Sequence, residues 1–182
     1  MPQSLADLRI LVVDDNEHIR KLVKVILRSI GVTKVGEAEN GRQAIDIMKE
    51  VVPDVILSDW EMEHMDGLQL ARFIRKSPES PNAFLPVIIM TGQADRQRVL
   101  AARDAGVNEF VIKPLSAQVI LSRLSNILDT PRPFVKSDNF FGPDRRRHLK
   151  PWDGVERRGN AADSARANLS QHQINSLISQ RH

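Results

Sequence analysis

Short apolar runs alternate with amphipathic segments along the first 129 residues of this chain. The runs place several apolar residues side by side without alternation, which is typical of strands that are buried on both faces of a sheet. Between them, apolar residues recur at every third or fourth position, which indicates helices with one buried face. Asn16 and Asp95 can cap the helices that follow the first and fourth strands. The predicted strands are 9–13, 33–39, 54–59, 85–90 and 107–112.

Strand and helix therefore alternate five times, and this order predicts an α/β fold. The fold class that we expect is a five-stranded parallel sheet, doubly wound, with helices on both faces. Right-handed crossovers leave few topologies, and the flavodoxin-like strand order 2-1-3-4-5 is favoured among them. In that order the first and third strands flank the switch point, where ligands bind beyond the carboxyl ends of the strands.

Composition narrows the class of protein. Of the 182 residues 41% are hydrophobic, which is enough for a core, and cysteine is absent, which excludes disulfides and thiolate metal sites. No apolar run approaches the roughly 18 residues of a membrane span. The segment Met1–Leu8 lacks the basic and apolar regions of a signal peptide. We therefore expect a cytoplasmic protein that does not contact a membrane.

The residues that end the predicted strands carry the candidate chemistry. The first strand runs into Asp14 and Asp15, the third ends at Asp59, the fourth at Thr91 and the fifth at Lys113. Each has an ordinary alternative when taken alone, such as a helix cap, a turn former or a solvated surface charge. Parallel strands, however, bring all of these ends to one edge of the sheet, and the coincidence favours a site.

Three carboxylates at one edge repel one another unless a proton or a cation lies between them. Oxygen ligands without histidine or cysteine suit a hard divalent ion such as Mg²⁺. A cation beside a lysine and a threonine hydroxyl forms a site for a phosphoryl group, because both cations offset the charge on its oxygens.

Residues 5–129 resemble the receiver domain of bacterial two-component response regulators, the family that includes the chemotaxis response regulator. The resemblance rests on five motifs whose order and spacing are highly specific. They are Val12-Val13-Asp14-Asp15, Ile56-Leu57-Ser58-Asp59-Trp60-Glu61-Met62, Met65-Asp66-Gly67, Ile89-Met90-Thr91-Gly92 and Lys113-Pro114.

The resemblance implies that Asp59 is the phosphorylated residue and that its donor is a sensor histidine kinase or a histidine phosphotransfer protein. It also implies that Mg²⁺ is the cofactor. The implied metal ligands are Asp15, Asp59 and the backbone carbonyl of Glu61, with Asp14 assisting.

The resemblance further implies a switch at Thr91, Lys113 and Phe110. Thr91 and Lys113 would bind the phosphoryl oxygens, and the Lys113–Pro114 peptide bond would be cis. Phe110 would be the aromatic residue that turns inward behind Thr91, although plain core packing also explains it. Glu61 and Gln93 occupy the two positions that tune the lifetime of the phosphoryl group.

Residues 130–182 form a basic extension that differs from the rest of the chain. They carry 10 basic and 5 acidic residues, whereas residues 1–129 carry 16 and 18. Prolines at 131 and 133 prevent a continuation of the preceding helix, and periodicity is weak. We therefore predict a mostly disordered extension with a possible short helix near 164–180, too poor in apolar residues for a DNA-binding or catalytic output domain.

Two arginine clusters in this extension, at 145–147 and 157–158, have several possible roles. A solubilising linker is the simplest interpretation, and binding of nucleic acid or of an acidic protein surface is an alternative. The extension could also dock on the face formed by the fourth helix, fifth strand and fifth helix. Its apolar anchors would then be Phe140, Phe141, Trp152 or Leu177.

The function that these observations favour is a response regulator without a conventional output domain. It would switch a protein-interaction surface for a downstream target, or pass the phosphoryl group on in a relay, and it would not be an enzyme beyond its own phosphorylation and dephosphorylation. The alternative is a nucleic-acid-binding regulator that acts through the arginine-rich extension. A haloacid-dehalogenase-like phosphatase is disfavoured, because that family uses Asp-x-Asp and Asp14 and Asp15 are adjacent.

Overall fold

The central sheet consists of five parallel strands, and a helix follows each of them in the chain. The strands are β1 (Arg9–Val13), β2 (Lys34–Ala38), β3 (Val55–Asp59), β4 (Val87–Thr91) and β5 (Glu109–Ile112). The helices are α1 (Glu17–Ser29), α2 (Gly41–Glu50), α3 (Gly67–Lys76), α4 (Arg96–Asp104) and α5 (Ala117–Asp129). The strand order is β2-β1-β3-β4-β5, which confirms the predicted fold class and topology. This structure is a computed structural model and describes residues 4–93, 95–137 and 140–144.

Helices cover both faces of the sheet, which explains why the strands are apolar without alternation. On one face, Leu27 of α1 and Leu124 of α5 pack against the strands. On the other face, Met48 of α2, Leu70 of α3 and Ala102 of α4 do the same. The central strands β1, β3 and β4 are thereby buried on both sides, and their ends are fixed at the edges of the sheet.

The structure confirms the two predicted helix caps, whereas two strands begin later than predicted. The side chains of Asn16 and Asp95 accept hydrogen bonds from the first turns of α1 and α4, as expected for caps. Strands β4 and β5 each begin two residues later than predicted. The N–H of Leu85 closes a turn by bonding to Asn82, and the N–H of Val107 bonds back to Ala102, so neither joins the sheet.

Beyond α5 the chain forms a small antiparallel sheet, which we call the C-terminal ribbon, made of β6 (Phe134–Ser137) and β7 (Phe140–Pro143). It lies against the residues that precede β4 and β5, at the opposite end of the sheet from Asp59. The ring of Phe84, in the loop before β4, is 5.1 Å from the rings of both Phe134 and Phe141. These rings meet edge to face, a favourable geometry for aromatic pairs.

A buried arginine joins the ribbon to the sheet. The Arg75 guanidinium, at the end of α3, donates hydrogen bonds to the backbone oxygens of Gly106, Ala83 and Leu85 and to Oδ1 of Asn108, at 2.8–2.9 Å. Its carbon lies 5.1 Å from the ring centroid of Phe134. Burial lowers the pKa of Arg75 to about 9, so the group stays charged at neutral pH.

The backbones of Gly106 and Gly142 touch where the ribbon crosses the loop before β5. A Cβ atom on Gly142 would lie 2.9 Å from the Cα atom of Gly106, and one on Gly106 would lie 3.1 Å from the backbone oxygen of Phe141. Gly106 also has a φ of 82°, which favours glycine. Both positions therefore need glycine for the ribbon to pack against the loop before β5 in this way.

The ribbon corrects part of what we predicted for the extension. The sequence predicts no strand in residues 134–143, and it places Phe140 and Phe141, if they dock, on the face of α4, β5 and α5. The prediction counted only the apolar residues of the extension, which are too few for a core, whereas the ribbon completes its core with Phe84 and Arg75. Residues 145–182, which include the possible helix near 164–180, Trp152 and Leu177, lie outside the described residues.

Candidate functional site

Three carboxylates meet at the carboxyl edge of the sheet, between β1 and β3. Asp14 and Asp15 follow β1, Asp59 ends β3, and one carboxylate oxygen from each lies within 4.8 Å of the others. Asp14 is buried and Asp15 is exposed, so the cluster opens to solvent on one side. The sequence predicted this meeting, because β1 and β3 are neighbours in the strand order.

Asp14 is the buried carboxyl of this cluster, and its pKa is raised. Burial raises the pKa of Asp14, and the nearby charge of Asp59 raises it further. The N–H of Asn16, which donates to Oδ1 at 2.9 Å, and the ammonium of Lys113 lower it by less. Part of the negative charge at this edge is therefore uncompensated, and a bound cation would relieve it.

Lys113 brings a positive charge into the cluster from the end of β5. Its Nζ atom lies 2.8 Å from Oδ1 of Asp59 and 3.4 Å from Oδ2 of Asp14. Burial works against the ammonium, but the hydrogen bond and charge of Asp59, together with Asp14, outweigh it and raise the pKa of Lys113. The backbone N–H of Lys113 donates to the backbone oxygen of Thr91 at 2.7 Å. The Lys113–Pro114 peptide bond is cis, as the resemblance implied.

Thr91 ends β4 with its hydroxyl turned toward its own loop. The hydroxyl donates to the backbone oxygen of Gln93 at 2.7 Å and accepts from the Gln93 N–H at 3.2 Å. Phe110 is partly buried and, with Trp60 and Val99, lines a narrow cavity beside Thr91. The predicted switch residues are therefore neighbours, and the Thr91 hydroxyl is hydrogen-bonded to the backbone of Gln93 instead of to Asp59.

The loop after Asp59 passes so close to α3 that only glycine fits at its end. A Cβ atom on Gly67 would lie 2.1 Å from the backbone oxygen of Asp59. The Gly67 N–H donates to the Trp60 oxygen at 3.1 Å, which closes the loop. The motif Met65-Asp66-Gly67 does not reveal that Gly67 positions Asp59, and only the structure shows this close approach.

Arg98 is a second residue near the site that sequence reasoning missed. It projects from α4, and its Nη2 atom donates to Oε1 of Glu61 at 2.6 Å. Its guanidinium carbon lies 5.2 Å from the ring centroid of Trp60. No sequence signal links Arg98 to Glu61, which precedes it by 37 positions in the chain.

The arrangement combines the parts that phosphoryl transfer to a carboxylate requires. A carboxylate at the end of the central strand β3 faces a lysine ammonium, and two further carboxylates beside it form an oxygen-rich group that could hold a metal ion. The described residues provide this group without histidine or cysteine, as a hard divalent cation prefers.

Comparison with known proteins agrees with this geometry. The sequence model of the response regulator receiver domain matches residues 10–125. The chain belongs to the receiver-domain family of response regulators. Within this family, chemotaxis protein CheY of Pseudomonas aeruginosa is 34% identical over 122 residues, covering 67% of this chain and 97% of that protein. CheY-3 of Vibrio cholerae is 34% identical over 123 residues, covering 68% and 93%.

Solved receiver structures share the fold. CheY4 of Vibrio cholerae aligns with a TM-score of 0.60 at 26% identity and covers 66% of this chain and 98% of its own. The signal receiver domain of a histidine kinase from Syntrophus aciditrophicus aligns with a TM-score of 0.59 at 30% identity, covering 67% and 90%. The receiver domain is thus CheY-like and consistent with two-component signalling, and the matched region stops before the C-terminal ribbon.

Among the described residues of this receiver domain, no helix has both the length and the apolar character needed to cross a membrane.

Proposed function

We propose that this chain is a response regulator that accepts a phosphoryl group on Asp59 from a sensor histidine kinase or a histidine phosphotransfer protein. The observation that carries the proposal is the 2.8 Å contact between Asp59 and Lys113 beside Asp14 and Asp15. The phosphoryl group brings negative charge on its oxygens to the acceptor, and an ammonium placed there in advance offsets that charge.

In the transfer step a carboxylate oxygen of Asp59 attacks the phosphorus atom of a phosphohistidine. The new P–O bond forms as the P–N bond breaks, and the leaving imidazole takes up a proton. Lys113 stays beside the acceptor oxygen and contacts the transferred group. The Thr91 hydroxyl leaves the Gln93 oxygen and donates to a phosphoryl oxygen, and Phe110 moves into the space behind it.

We propose Asp14, Asp15, Asp59 and the backbone carbonyl of Glu61 as the residues that hold Mg²⁺. The cluster fits such an ion, since its carboxylate oxygens are close together and burial and the charge of Asp59 raise the pKa of Asp14. When bound, Mg²⁺ neutralises charge on the phosphoryl oxygens. Glu61 and Gln93 flank the acceptor and tune the rate at which water removes the phosphoryl group. The chain acts as a phosphoacceptor that catalyses only its own phosphorylation and dephosphorylation.

Phosphorylation of the purified chain tests the acceptor. Acetyl phosphate with Mg²⁺ is expected to add one hydroxylamine-sensitive phosphoryl group, detected by intact mass, and Asp59→Asn is expected to abolish it. Asp54→Asn is the matched control, because Asp54 precedes the same strand at its other end and caps the Arg9 N–H there. Labelling of Asp59→Asn at the wild-type level would exclude Asp59 as the acceptor.

The output that we propose is a protein contact through α4, β5 and α5, either with a downstream target or with the next protein of a relay. Ile112 and Val119 are exposed apolar residues on these elements, with 49% and 36% of their surface accessible, and support a contact there. A cytoplasmic location stays a prediction.

The alternative function, nucleic-acid binding, is tested by truncation. Salt-dependent binding of DNA or RNA by the full chain that is lost when the chain ends at Asp144 would support it. A chain that ends at Asp129 is unsuitable for this test, because it also lacks the C-terminal ribbon that packs on the receiver domain.

A further inference from the structure

Arg98 connects α4 to the loop that follows the proposed acceptor. Its side chain bonds Glu61, two residues after Asp59, and covers the indole of Trp60, one residue after Asp59. Its own backbone is fixed, because its N–H donates to the capping carboxylate of Asp95 at 2.8 Å. The guanidinium therefore stands at a defined position, bonded to the Glu61 carboxylate and stacked on the Trp60 ring, with Oδ2 of Asp95 4.0 Å from its Nε atom.

The exposure of this ion pair indicates a role other than folding stability. The Glu61 side chain is 72% exposed and that of Arg98 is 26% exposed. Ion pairs this open to water contribute little to the free energy of unfolding, because solvent screens them. What the contact does determine is where the Glu61 carboxylate rests.

The entrance to the site shows why that position matters. The cavity in front of the acidic cluster is lined by the acidic residues Asp15, Glu61, Glu63 and Asp66, with Trp60 and Met62. A phosphoryl donor is an anion, and like charges at the entrance lower its local concentration. Glu61 lines this cavity while its carboxylate is bonded to Arg98 on α4. Released from that bond, the carboxylate would be free to turn further into the cavity and add to the repulsion.

We propose that Arg98 is a positioning residue for phosphorylation. It holds the Glu61 carboxylate against α4, out of the donor's path, and uses the Trp60 indole as the platform that fixes its own guanidinium. The inference rests on the proposed function, since it concerns access of an anionic phosphoryl donor to Asp59.

The test compares Arg98→Gln, Glu61→Gln and the double variant in the full-length chain. The rate of phosphorylation by subsaturating acetyl phosphate is measured at low ionic strength. We expect Arg98→Gln to slow the reaction by about two- to fivefold, the range that one added charge near the entrance produces. In the Glu61→Gln chain the same substitution is expected to change the rate by less than about 1.5-fold, because no carboxylate remains to be released.

The control is Arg103→Gln, which removes a partly exposed arginine of the same helix that pairs with the neighbouring Asp104. It is expected to leave the rate near that of the wild type. An equal slowing by Arg98→Gln in the wild-type chain and in the Glu61→Gln chain would show a plain loss of positive charge and would overturn the positioning role. So would a wild-type rate in Arg98→Gln.

A second readout does not depend on phosphorylation. In a Trp152→Phe chain Trp60 is the one remaining tryptophan, and acrylamide, which is uncharged, reports how accessible its ring is. Arg98→Gln is expected to increase quenching and Arg103→Gln to leave it unchanged, whereas unchanged quenching in both would contradict the stacked guanidinium. Failure of wild-type phosphorylation would refute the proposed function, while normal wild-type phosphorylation without Arg98 coupling would refute this inference alone.

Discussion

Two largely buried cations stand at opposite ends of the same sheet and are neutralised in different ways. At the carboxyl end, Lys113 lies between the carboxylates of Asp59 and Asp14. At the amino end, Arg75 is held by three carbonyl oxygens and an amide oxygen, with the ring of Phe134 beside it.

The two environments differ in whether the protein itself balances the charges. At the carboxyl end a ligand is needed to balance them, and at the amino end it is not. Around Lys113 the carboxylates repel one another and the pKa of Asp14 is raised, so a bound cation would relieve this repulsion. Around Arg75 the acceptors are fixed dipoles that satisfy a charge without further ligands. We therefore expect substitutions at the amino end to affect stability and those at the carboxyl end to affect binding and phosphorylation.

The largest effect is expected from Arg75→Met. The substitution removes four hydrogen bonds and leaves buried carbonyl oxygens without donors, which typically costs about 3–5 kcal/mol. Urea unfolding monitored by circular dichroism measures the loss. Arg72→Met, on the exposed side of the same helix, is the control and is expected to change stability by less than about 0.5 kcal/mol. Equal stability of the two variants would contradict a structural role for Arg75.

The next effect comes from removing the C-terminal ribbon. A chain that ends at Asp129 uncovers Phe84 and Arg75, and we expect a loss of about 2–4 kcal/mol from the lost aromatic burial. A chain that ends at Asp144 keeps the ribbon and is expected to unfold at the same urea concentration as the full chain. If both truncated chains unfolded together, the ribbon would contribute nothing to the stability of the receiver domain.

A smaller effect of opposite sign is expected from Asp14→Asn in the absence of Mg²⁺. The raised pKa of Asp14 means that the folded protein holds this proton more tightly than the unfolded chain does. Wild-type stability therefore falls as the pH rises from about 4 through the raised pKa. Asp14→Asn has no carboxyl at this position, so its free energy of unfolding does not fall in this way. It becomes more stable than the wild type by about 1–2 kcal/mol over this pH range and keeps the full difference at higher pH.

Thermal unfolding of both proteins across this pH range checks the sign. A variant that is less stable than the wild type at neutral pH would show that the Asp14 carboxylate contributes more through Lys113 than it loses through burial and repulsion.

The smallest effect is the stabilisation of the wild type by Mg²⁺. An ion that binds only the folded protein stabilises it by mass action, and we expect about 1 kcal/mol at a concentration several times the dissociation constant. Asp15→Asn is expected to lose this response and Mg²⁺-dependent phosphorylation, because it removes one ligand. Arg75→Lys, a change at the other end of the sheet, is the control and should keep the response. An Mg²⁺ shift that persists in Asp15→Asn would place the ion elsewhere.

Much of this molecule could be predicted from the sequence, because regular elements leave periodic signals. The apolar runs predicted the sheet and its order, and strand order alone brought Asp14, Asp59 and Lys113 to one edge. The caps at Asn16 and Asp95 could also be predicted, because each lies next to the helix that it starts.

The contacts that could not be predicted join helices to loops elsewhere in the chain. Arg75 finds its acceptors in the segments before β4 and β5, and Arg98 meets Glu61 across the entrance of the site. Neither pair has a period or a fixed spacing. The ribbon was missed for the same reason, since its aromatic residues pack on Phe84, which stands in an irregular loop between prolines at 81 and 86.

The contact between Gly142 and the receiver domain has a consequence for how this chain compares with its relatives. A Cβ atom on Gly142 would meet Gly106 of the receiver domain and the Phe140 ring of the ribbon. Among the described residues, the aromatic partners of Phe84 are those of the ribbon. Positions 84 and 142 are therefore expected to change together during evolution. Receiver proteins with a large aromatic residue at the position of Phe84 and a glycine shortly beyond their last helix would form a subgroup that shares the packed C-terminal ribbon. Those that lost the ribbon would drift toward small or polar residues at position 84.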